Sequence, residues 1–215
     1  MPINNSITSK KNLVPEPTLR RLPCYLTYLK LAKGEGQKFV SSTQIAHNMG
    51  IDSTQVTKDL SYTKIMGKTR VGYEVDSLIE VLETFLRFNT MDSGYLFGAG
   101  SLGTALLLDH GLAQFGFSIE AAFDVDPDKV GLNIGGTRIY HVEDFRRIKK
   151  PDVRIGIITV PMQEAQSTAD IMVDGGIEAI WNFTSVQIKA PDNIIIQNTP
   201  LYAYLAVIFN RLHTK

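Results

Sequence analysis

The sequence predicts an α/β protein in which a small helical domain precedes a parallel sheet with helices on both faces. Residues 15 to 66 contain helical patterns separated by glycines, whereas residues 94 to 197 alternate short apolar strand runs with helical runs. A G-x-G-x-x-G loop joins the first of those strands to its helix. Strands that alternate with crossover helices are typical of a doubly wound parallel sheet.

The composition favours a protein of the cytoplasm. Of 215 residues 44% are hydrophobic, and the single cysteine, Cys24, excludes an intrachain disulfide and a cysteine-rich metal site. The first residues lack the apolar core of a signal peptide. The longest apolar run, residues 201 to 209, is far shorter than the roughly 20 residues that a membrane helix needs. We therefore expect no export, no membrane partner and no bound metal.

Charge is divided unevenly along the chain. Residues 1 to 73 hold eight lysines and three arginines against four acidic residues, a net charge of +7, so the remainder carries −7. A basic segment in an otherwise acidic chain indicates a polyanionic partner for that segment alone.

The first segments predict an arm and a helix. Residues 1 to 14 are polar, include two lysines and lack periodicity, which fits either a mobile basic arm or a tail without function. A helical pattern begins after Pro15 and ends at Gly34. Pro23 lies inside this pattern and is tolerated near the first turn or at a kink.

Two short helices are predicted next. Ser41 with Gln44 and Asp52 with Gln55 have capping-box spacing; the first helix ends at Gly50, and the second extends to about residue 66. Two helices joined by so short a turn form a helix-turn-helix. The second helix presents short polar side chains and a lysine, which can reach base edges and phosphates. The expected DNA contacts here are Ser42, Ser53, Thr54, Gln55, Thr57, Lys58, Ser61 and Tyr62.

A basic hairpin is predicted at residues 67 to 75, with Lys68 and Arg70 at its tip. A helix-turn-helix followed by such a hairpin is a winged helix, whose cations would neutralise phosphates or enter the minor groove. The alternative is a three-helix core whose charges are merely solvated. An apolar helix capped by Asp76 follows, and we place the end of the winged-helix domain at residue 90.

The glycine loop predicts a dinucleotide site in a Rossmann-like domain over residues 91 to 200. Gly98 permits the tight turn, Gly100 lets a pyrophosphate approach the backbone, and Gly103 lets helix and strand pack closely. Asp124 ends the next strand, where a carboxylate binds the ribose hydroxyls and repels a 2′-phosphate. NAD(H) is therefore favoured over NADP(H), the alternative being a glycine-rich turn of any α/β domain.

Further strands and helices place the other candidate residues. Strands are predicted at residues 119 to 123, 138 to 140, 153 to 160, 179 to 183 and 193 to 197, and helices at 142 to 148 and 162 to 174. Ligands of such sheets lie at the carboxyl ends of the strands, where Thr159 and Asn182 are candidates for the carboxamide or ribose and Pro161 for the nicotinamide pocket. The expected cofactor contacts are Gly98, Ala99, Gly100, Ser101, Leu102, Gly103, Asp124, Val125, Thr159, Val160, Pro161 and Asn182.

The last segment, residues 201 to 215, predicts a helix that is apolar nearly all round. Such a helix is unsuited to the surface of a monomer. It packs either into the core of its own chain or into a second subunit, and we favour the homodimer.

Several strings of residues resemble one family. They include VPEPTLRRLP at residues 14 to 23, KDLSY at residues 58 to 62, the glycine loop and AAFDVDP at residues 121 to 127, and the similarity covers nearly the whole chain. The chain thus resembles the Rex family of redox-sensing transcriptional repressors of bacteria. The resemblance implies a homodimer with winged helices on operator DNA, Rossmann domains that bind NAD(H), and terminal helices exchanged between subunits. In the family NADH releases the DNA, whereas NAD permits binding.

Some positions depart from the family pattern. In the DNA-binding segments they are Thr57 in place of arginine, Thr63 in place of an aromatic residue, and Thr69-Arg70 in place of a basic residue and glycine. Asp109 stands where the family has a tyrosine that answers the nicotinamide. Pro200 stands where an acid pairs with an arginine of the first helix, so Arg21 is expected to lack that partner.

Other classes of function remain as alternatives. An NAD-dependent oxidoreductase needs a substrate domain and a general acid or base, but the sheet and terminal helix use all the residues after 90. Two further alternatives are an NAD(H)-binding regulator with an altered or weak redox response and a nucleotide-binding scaffold without DNA contact. We expect a regulator without catalytic residues.

Overall fold

A computed structural model describes residues 14 to 214, and contacts divide the chain into two compact units, Met1–Asn89 and Thr90–Lys215. Nearly all of the predicted basic arm lies outside the described residues. Within residues 14 to 214 no helix is long and apolar enough to cross a membrane. The same residues contain no group of three or more histidine, cysteine or acidic side chains arranged to hold a metal ion.

The first unit is a helix-turn-helix with a small antiparallel sheet. Its elements are α1 (Glu16–Gly34), β1 (Phe39–Val40), α2 (Ser42–Met49), α3 (Ser53–Ser61), β2 (Tyr73–Glu74) and α4 (Val75–Leu86). One apolar core joins all four helices, because the apolar residues of each recur three and four positions apart and share one face. Buried members include Leu26, Ile45, Val56, Leu60 and Leu78. The predicted capping box at Ser41 is confirmed, since Ser41 Oγ accepts from the Gln44 backbone and Gln44 Oε1 from the Ser41 backbone.

The second helix of the pair differs from the prediction in its length and cap. It ends at Ser61 rather than near residue 66, and Lys64 takes a left-handed conformation with φ of 62° that no helix continues through. Asp52 caps it by accepting from the Thr54 backbone, but the predicted box with Gln55 does not form. The Gln55 side chain instead donates to Asp59, because a buried carboxylate needs more donors than an exposed helix end does.

The hairpin and the fourth helix also differ from the prediction. The strand Tyr73–Glu74 pairs with Phe39–Val40, which follows α1, and the predicted hairpin itself is reduced to one antiparallel bridge between Lys68 and Gly72. A turn from Lys68 to Gly72, closed by backbone bonds in both directions, forms the tip. α4 begins at Val75 without a side-chain cap, and Asp76 is paired with Lys33 instead of capping it.

The second unit is a doubly wound sheet. Its elements are β3 (Asp92–Phe97), α5 (Ser101–Leu108), α6 (Gly111–Gln114), β4 (Phe117–Asp124), β5 (Asn133–Ile134), β6 (Thr137–His141), α7 (Phe145–Ile148), β7 (Ile155–Ile158), α8 (Ala165–Asp174), β8 (Ala179–Asn182), β9 (Ile195–Asn198) and α9 (Leu201–His213). The strand order is β5-β6-β4-β3-β7-β8-β9. α5 packs on one face through Leu107, and α7 and α8 on the other through Phe145 and Met172, as the alternating pattern predicts.

Local details of this sheet were predicted less well. The short strand β5 was missed, and it is antiparallel to β6, so the sheet is parallel except at this edge. The segment from residue 142 to 148 is a 3-10 turn followed by the single helical turn α7. The strand predicted over residues 153 to 160 keeps only Ile155–Ile158, because Thr159 and Val160 already turn toward the loop that follows.

Candidate functional site

The glycine loop lies at the carboxyl end of the central strand β3, with β4 on one side and β7 on the other. This is the switch point of the sheet, where ligands of open α/β sheets bind. Gly98 has φ of 98°, and a Cβ there would lie 2.8 Å from the Val160 backbone nitrogen. A Cβ on Gly103 would lie 2.0 Å from the Gly98 carbonyl oxygen, whereas one on Gly100 would meet no protein atom within 4 Å. Two glycines therefore serve packing, and the third leaves the backbone open toward a ligand.

Asp124 ties this loop to the end of β4. Its Oδ2 accepts from the Ala99 backbone nitrogen at 2.7 Å, and its Oδ1 accepts from that of Asp126 at 2.9 Å. Lys129 Nζ lies 3.4 Å from Asp124 and 3.2 Å from Asp126. A hydrogen bond from the Asp128 backbone, with one from Lys129, lowers the pKa of Asp126. The lowered pKa of Asp126 keeps this neighbouring carboxylate charged, and the carboxylate oxygens of Asp124 and Asp126 are the acceptors that ribose hydroxyls need.

One cavity of about 480 Å³ joins these groups. Six of the predicted cofactor residues line it, namely Gly98, Gly100, Asp124, Val125, Val160 and Pro161. Side chains of α8 and the turn before it form part of the wall, including Glu164, Ser167 and Thr168, which the sequence did not single out. An apolar cavity with a carboxylate pair at one end fits the adenosine half of a dinucleotide.

The other predicted cofactor residues lie outside that lining. Ser101 and Leu102 form the first turn of α5, whereas the Ala99 backbone N–H is used by Asp124. Thr159 Oγ1 donates to the Gly98 carbonyl oxygen at 2.7 Å, so it supports the glycine loop from below. Asn182 is fully buried, and its amide makes four hydrogen bonds within the protein. In this structure Asn182 holds the turn after β8 and is not open to a ligand.

The predicted DNA face lies on the side of α3 turned away from the core. Thr54, Thr57, Lys58 and Ser61 are exposed there, and Val56 and Leu60 point inward. Hydroxyl groups of Thr57 and Ser61 donate to backbone carbonyls of the same helix, which leaves their oxygen lone pairs available. Ser42 and Ser53 are half-buried at the first positions of α2 and α3, and Tyr62 is half-buried at the end of α3. Gln55 is half-buried too, with its amide nitrogen committed to Asp59.

The two cations of the wing differ in their surroundings. The Lys68 ammonium lies 5.4 Å from the centre of the Phe39 ring, a cation–π distance. Arg70 is exposed and has φ of 64°, a left-handed conformation that favours glycine. The family pattern that the sequence resembles has glycine here, so Arg70 departs from it while keeping a backbone conformation that favours glycine. Among residues 14 to 214 no acidic side chain is paired with Arg70.

A buried carboxylate on α3 receives five hydrogen bonds. Asp59 Oδ1 accepts from Thr18 Oγ1 at 2.9 Å, Arg21 Nη2 at 2.8 Å and Gln55 Nε2 at 2.9 Å, while Oδ2 accepts from Arg21 Nε at 2.6 Å and Tyr25 OH at 2.7 Å. Burial by itself would raise the pKa of Asp59, but these donors, with Arg21 foremost, lower it to about 2. Pro200 leaves Arg21 without the acid of the family pattern, as expected, but Arg21 is not unpaired, because its guanidinium binds Asp59 at 2.6 Å.

Sequence reasoning missed Asp59, although a signal was present. Residues 56, 59 and 60 are spaced to share one face of a helix, and an acid among apolar neighbours on that face needs buried donors. The two positions that depart from the family pattern, Asp109 and Pro200, lie next to helix ends in this structure. Asp109 follows α5, and its Oδ2 accepts from the backbone nitrogen of Leu112 in α6, while Pro200 directly precedes the first residue of α9.

A DNA-binding fold and a dinucleotide-binding fold on one chain define a ligand-responsive DNA-binding regulator. The family model described as "Putative DNA-binding protein N-terminus" matches residues 13–61, and the one described as "CoA binding domain" matches residues 90–186. The chain is 59% identical to the redox-sensing transcriptional repressor Rex of Bacteroides thetaiotaomicron, over 93% of this chain and 91% of that protein. It is 39% identical to the Rex repressor of Treponema denticola, over 94% of this chain and 98% of that protein.

Solved structures agree with these relatives. The structure of RSP in complex with β-NAD+ and operator DNA superposes with a TM-score of 0.88 at 33% identity, over 95% of this chain and 94% of that chain. RSP in complex with β-NADH superposes with a TM-score of 0.84 at 32% identity, over 95% and 96% of the two chains. The chain belongs to the Rex family of redox-sensing transcriptional repressors. Its members are regulators, which sets aside the oxidoreductase alternative.

Proposed function

We propose that this chain is a homodimeric repressor that binds operator DNA through its winged helix and leaves it when NADH replaces NAD. The observation that carries the proposal is the glycine loop, where Gly100 is open to a ligand at the switch point and Asp124 stands beside it. The loop lies on the same chain as a basic helix-turn-helix. The RSP structures with operator DNA, β-NAD+ and β-NADH support both halves.

DNA binding rests on α3 and the wing. Thr54, Thr57 and Ser61 offer hydroxyl groups to base edges, while Lys58 and Arg70 offer charge to phosphates. Ser42, Ser53, Gln55, Tyr62 and Lys68 complete the proposed contact surface. Because Thr57 offers a hydroxyl group where the family pattern that the sequence resembles has a charged arginine, we expect a different preference at the base pair that this residue meets.

Cofactor binding rests on the residues around the cavity. The first turn of α5 and Gly100 would hold the pyrophosphate, Asp124 the adenosine ribose, and Val125 and Pro161 the apolar ring faces. When bound, NAD presents a positively charged nicotinamide ring, whereas NADH presents a neutral one. The protein can respond only through a difference in the affinity of its two states for the two forms. Asp109 and Pro200 are part of this proposal, as the positions where the response differs from that of relatives.

Dimer formation rests on α9. None of its residues is buried, and it exposes large apolar side chains that include Tyr202, Phe209 and Leu212. A group of large apolar side chains exposed on one helix is typical of a protein interface. We propose that α9 of each subunit packs on the other subunit, and that residues 201 to 215 form the dimerisation segment. We also propose that the protein works in the cytoplasm, which binding to operator DNA and the free thiol of Cys24 support.

The test is a titration of DNA binding with each cofactor. A duplex is first selected from a randomised library by the wild-type chain with NAD present, and its binding is then measured with NAD, NADH and coenzyme A. We expect release by NADH and no effect of coenzyme A, because its 3′-phosphate would meet Asp124 and Asp126. Equal effects of NAD and NADH would contradict redox sensing and favour a regulator with an altered response. Turnover of small alcohols or hydroxy acids with NAD would revive the oxidoreductase alternative.

A further inference from the structure

The Asp59 network lies entirely between the first helix and the recognition helix of one unit. Three of its donor residues, Thr18, Arg21 and Tyr25, lie one turn apart along α1. The acceptor lies on α3, where Gln55 supports it from the preceding turn. Asp59 and Tyr25 are 0% exposed, so water does not compete for the bond between them.

Such a network stabilises the packing of two helices little, because burying its charged and polar groups costs free energy. An apolar set of similar volume is often as stable as a buried ion pair, because desolvation offsets much of the attraction. The core around α3 already contains Val56 and Leu60 at 0% exposure. The network also fixes the orientation of α3, because each of its hydrogen bonds holds only within a few tenths of an ångström and a narrow angle.

The orientation of α3 determines which of its side chains face the DNA. Thr57 and Ser61 are each two positions from Asp59, which places them about 160° to 200° around the helix from it. A helix that is held at Asp59 therefore presents these hydroxyls on the far side. Side-chain tips lie about 6 Å from the helix axis, so a rotation of about 10° moves them by about 1 Å. A shift of that size breaks a hydrogen bond to a base edge.

We propose that Asp59, with Thr18, Arg21 and Tyr25, forms a set of positioning residues that fixes the rotation of α3 and thereby sets sequence discrimination. The inference rests on the proposed binding of operator DNA. None of the α1 donors touches the DNA in this mechanism; they act through the recognition helix.

The test compares Tyr25→Phe with a matched core variant, Ile79→Val. Tyr25→Phe removes one donor to Asp59 and keeps the ring in place, whereas Ile79→Val removes one methyl group from α4 in the same core. Affinities are measured for the library-selected duplex and for a scrambled duplex of equal length and composition. Each variant is studied at a temperature where hydrogen exchange shows the first unit to be folded. The same affinities are then measured for Asp59→Asn and Thr18→Val where these variants fold.

We expect Tyr25→Phe to lower the affinity ratio of selected to scrambled duplex by about tenfold, the cost of roughly one misread base pair. The affinity for the scrambled duplex should not change, because phosphate contacts do not depend on this rotation. Ile79→Val should leave the ratio unchanged. A wild-type ratio in Tyr25→Phe, or equal losses in both variants, would overturn the inference. If the wild-type chain itself shows no preference for the selected duplex, the proposed function fails first.

Discussion

Replacing Arg70 by glycine is expected to stabilise the DNA-binding unit. Arg70 has φ of 64° in a turn whose closing bonds run between the backbones of Lys68 and Gly72, so they do not need its side chain. Left-handed backbone costs a residue with a Cβ about 1–2 kcal/mol. Glycine removes that cost but adds about 0.5–1 kcal/mol of unfolded-state entropy. The net gain is about 0.5–1 kcal/mol, which shifts the melting temperature of a unit of this size by about 2–8 °C.

The same change is expected to weaken DNA binding. Arg70 is exposed at the tip of the wing, and if it neutralises one phosphate its loss reduces the slope of log K against log salt by about 0.9. A variant that is more stable but binds DNA less tightly would show that Arg70 contributes to DNA binding and not to folding. The assays are urea unfolding followed by hydrogen exchange in residues 14 to 89, and DNA affinity at several salt concentrations.

Lys64→Gly provides the matched control. Lys64 has φ of 62° and follows α3, but it is not among the proposed DNA contacts. We expect the same gain in stability with no change of salt slope. An unchanged salt slope in Arg70→Gly would refute the role of Arg70 as a phosphate contact, and lower stability would refute the argument from backbone conformation.

Further predictions concern the cofactor loop, the buried carboxylate and the last helix. Gly100→Ala should keep the melting temperature and lose NADH binding in a fluorescence titration, whereas Gly103→Ala should unfold at a lower temperature, since its Cβ would lie 2.0 Å from the Gly98 carbonyl oxygen. Tight NADH binding by Gly100→Ala would contradict the assignment of the pyrophosphate site. The low pKa of Asp59, about 2, means that its contribution is present above the ordinary carboxyl pKa and is lost as the pH falls through about 2. The free energy of unfolding of the first unit should therefore fall by about 2 kcal/mol between about pH 5 and pH 2, and Asp59→Asn should flatten that pH profile. Deletion of residues 201 to 215 should convert the dimer to a monomer in sedimentation analysis, and a truncated chain that stays dimeric would place the interface elsewhere.

Local sequence rules predicted most of the elements because they depend on neighbouring residues. The capping box of Ser41 with Gln44, the glycine spacing from Gly98 to Gly103 and the alternation of strands with helices are patterns of this kind. The misassigned details have a common cause. Gln55 and Asp76 fit local cap patterns, but each is paired with a distant or buried partner that local spacing does not reveal.

By itself the sequence determined the two folds, the basic character of the first and the place of the dinucleotide loop in the second. These follow from the periodicity of apolar residues, from the G-x-G-x-x-G spacing of glycines and from the distribution of charge. Only the tertiary structure decided that Arg21 meets Asp59, that the Asn182 amide is fully bonded inside the protein, and that Arg70 occupies a glycine-like conformation. The physical reason is that these features depend on atoms far apart in the chain or on one dihedral angle, and the identity of a residue specifies neither.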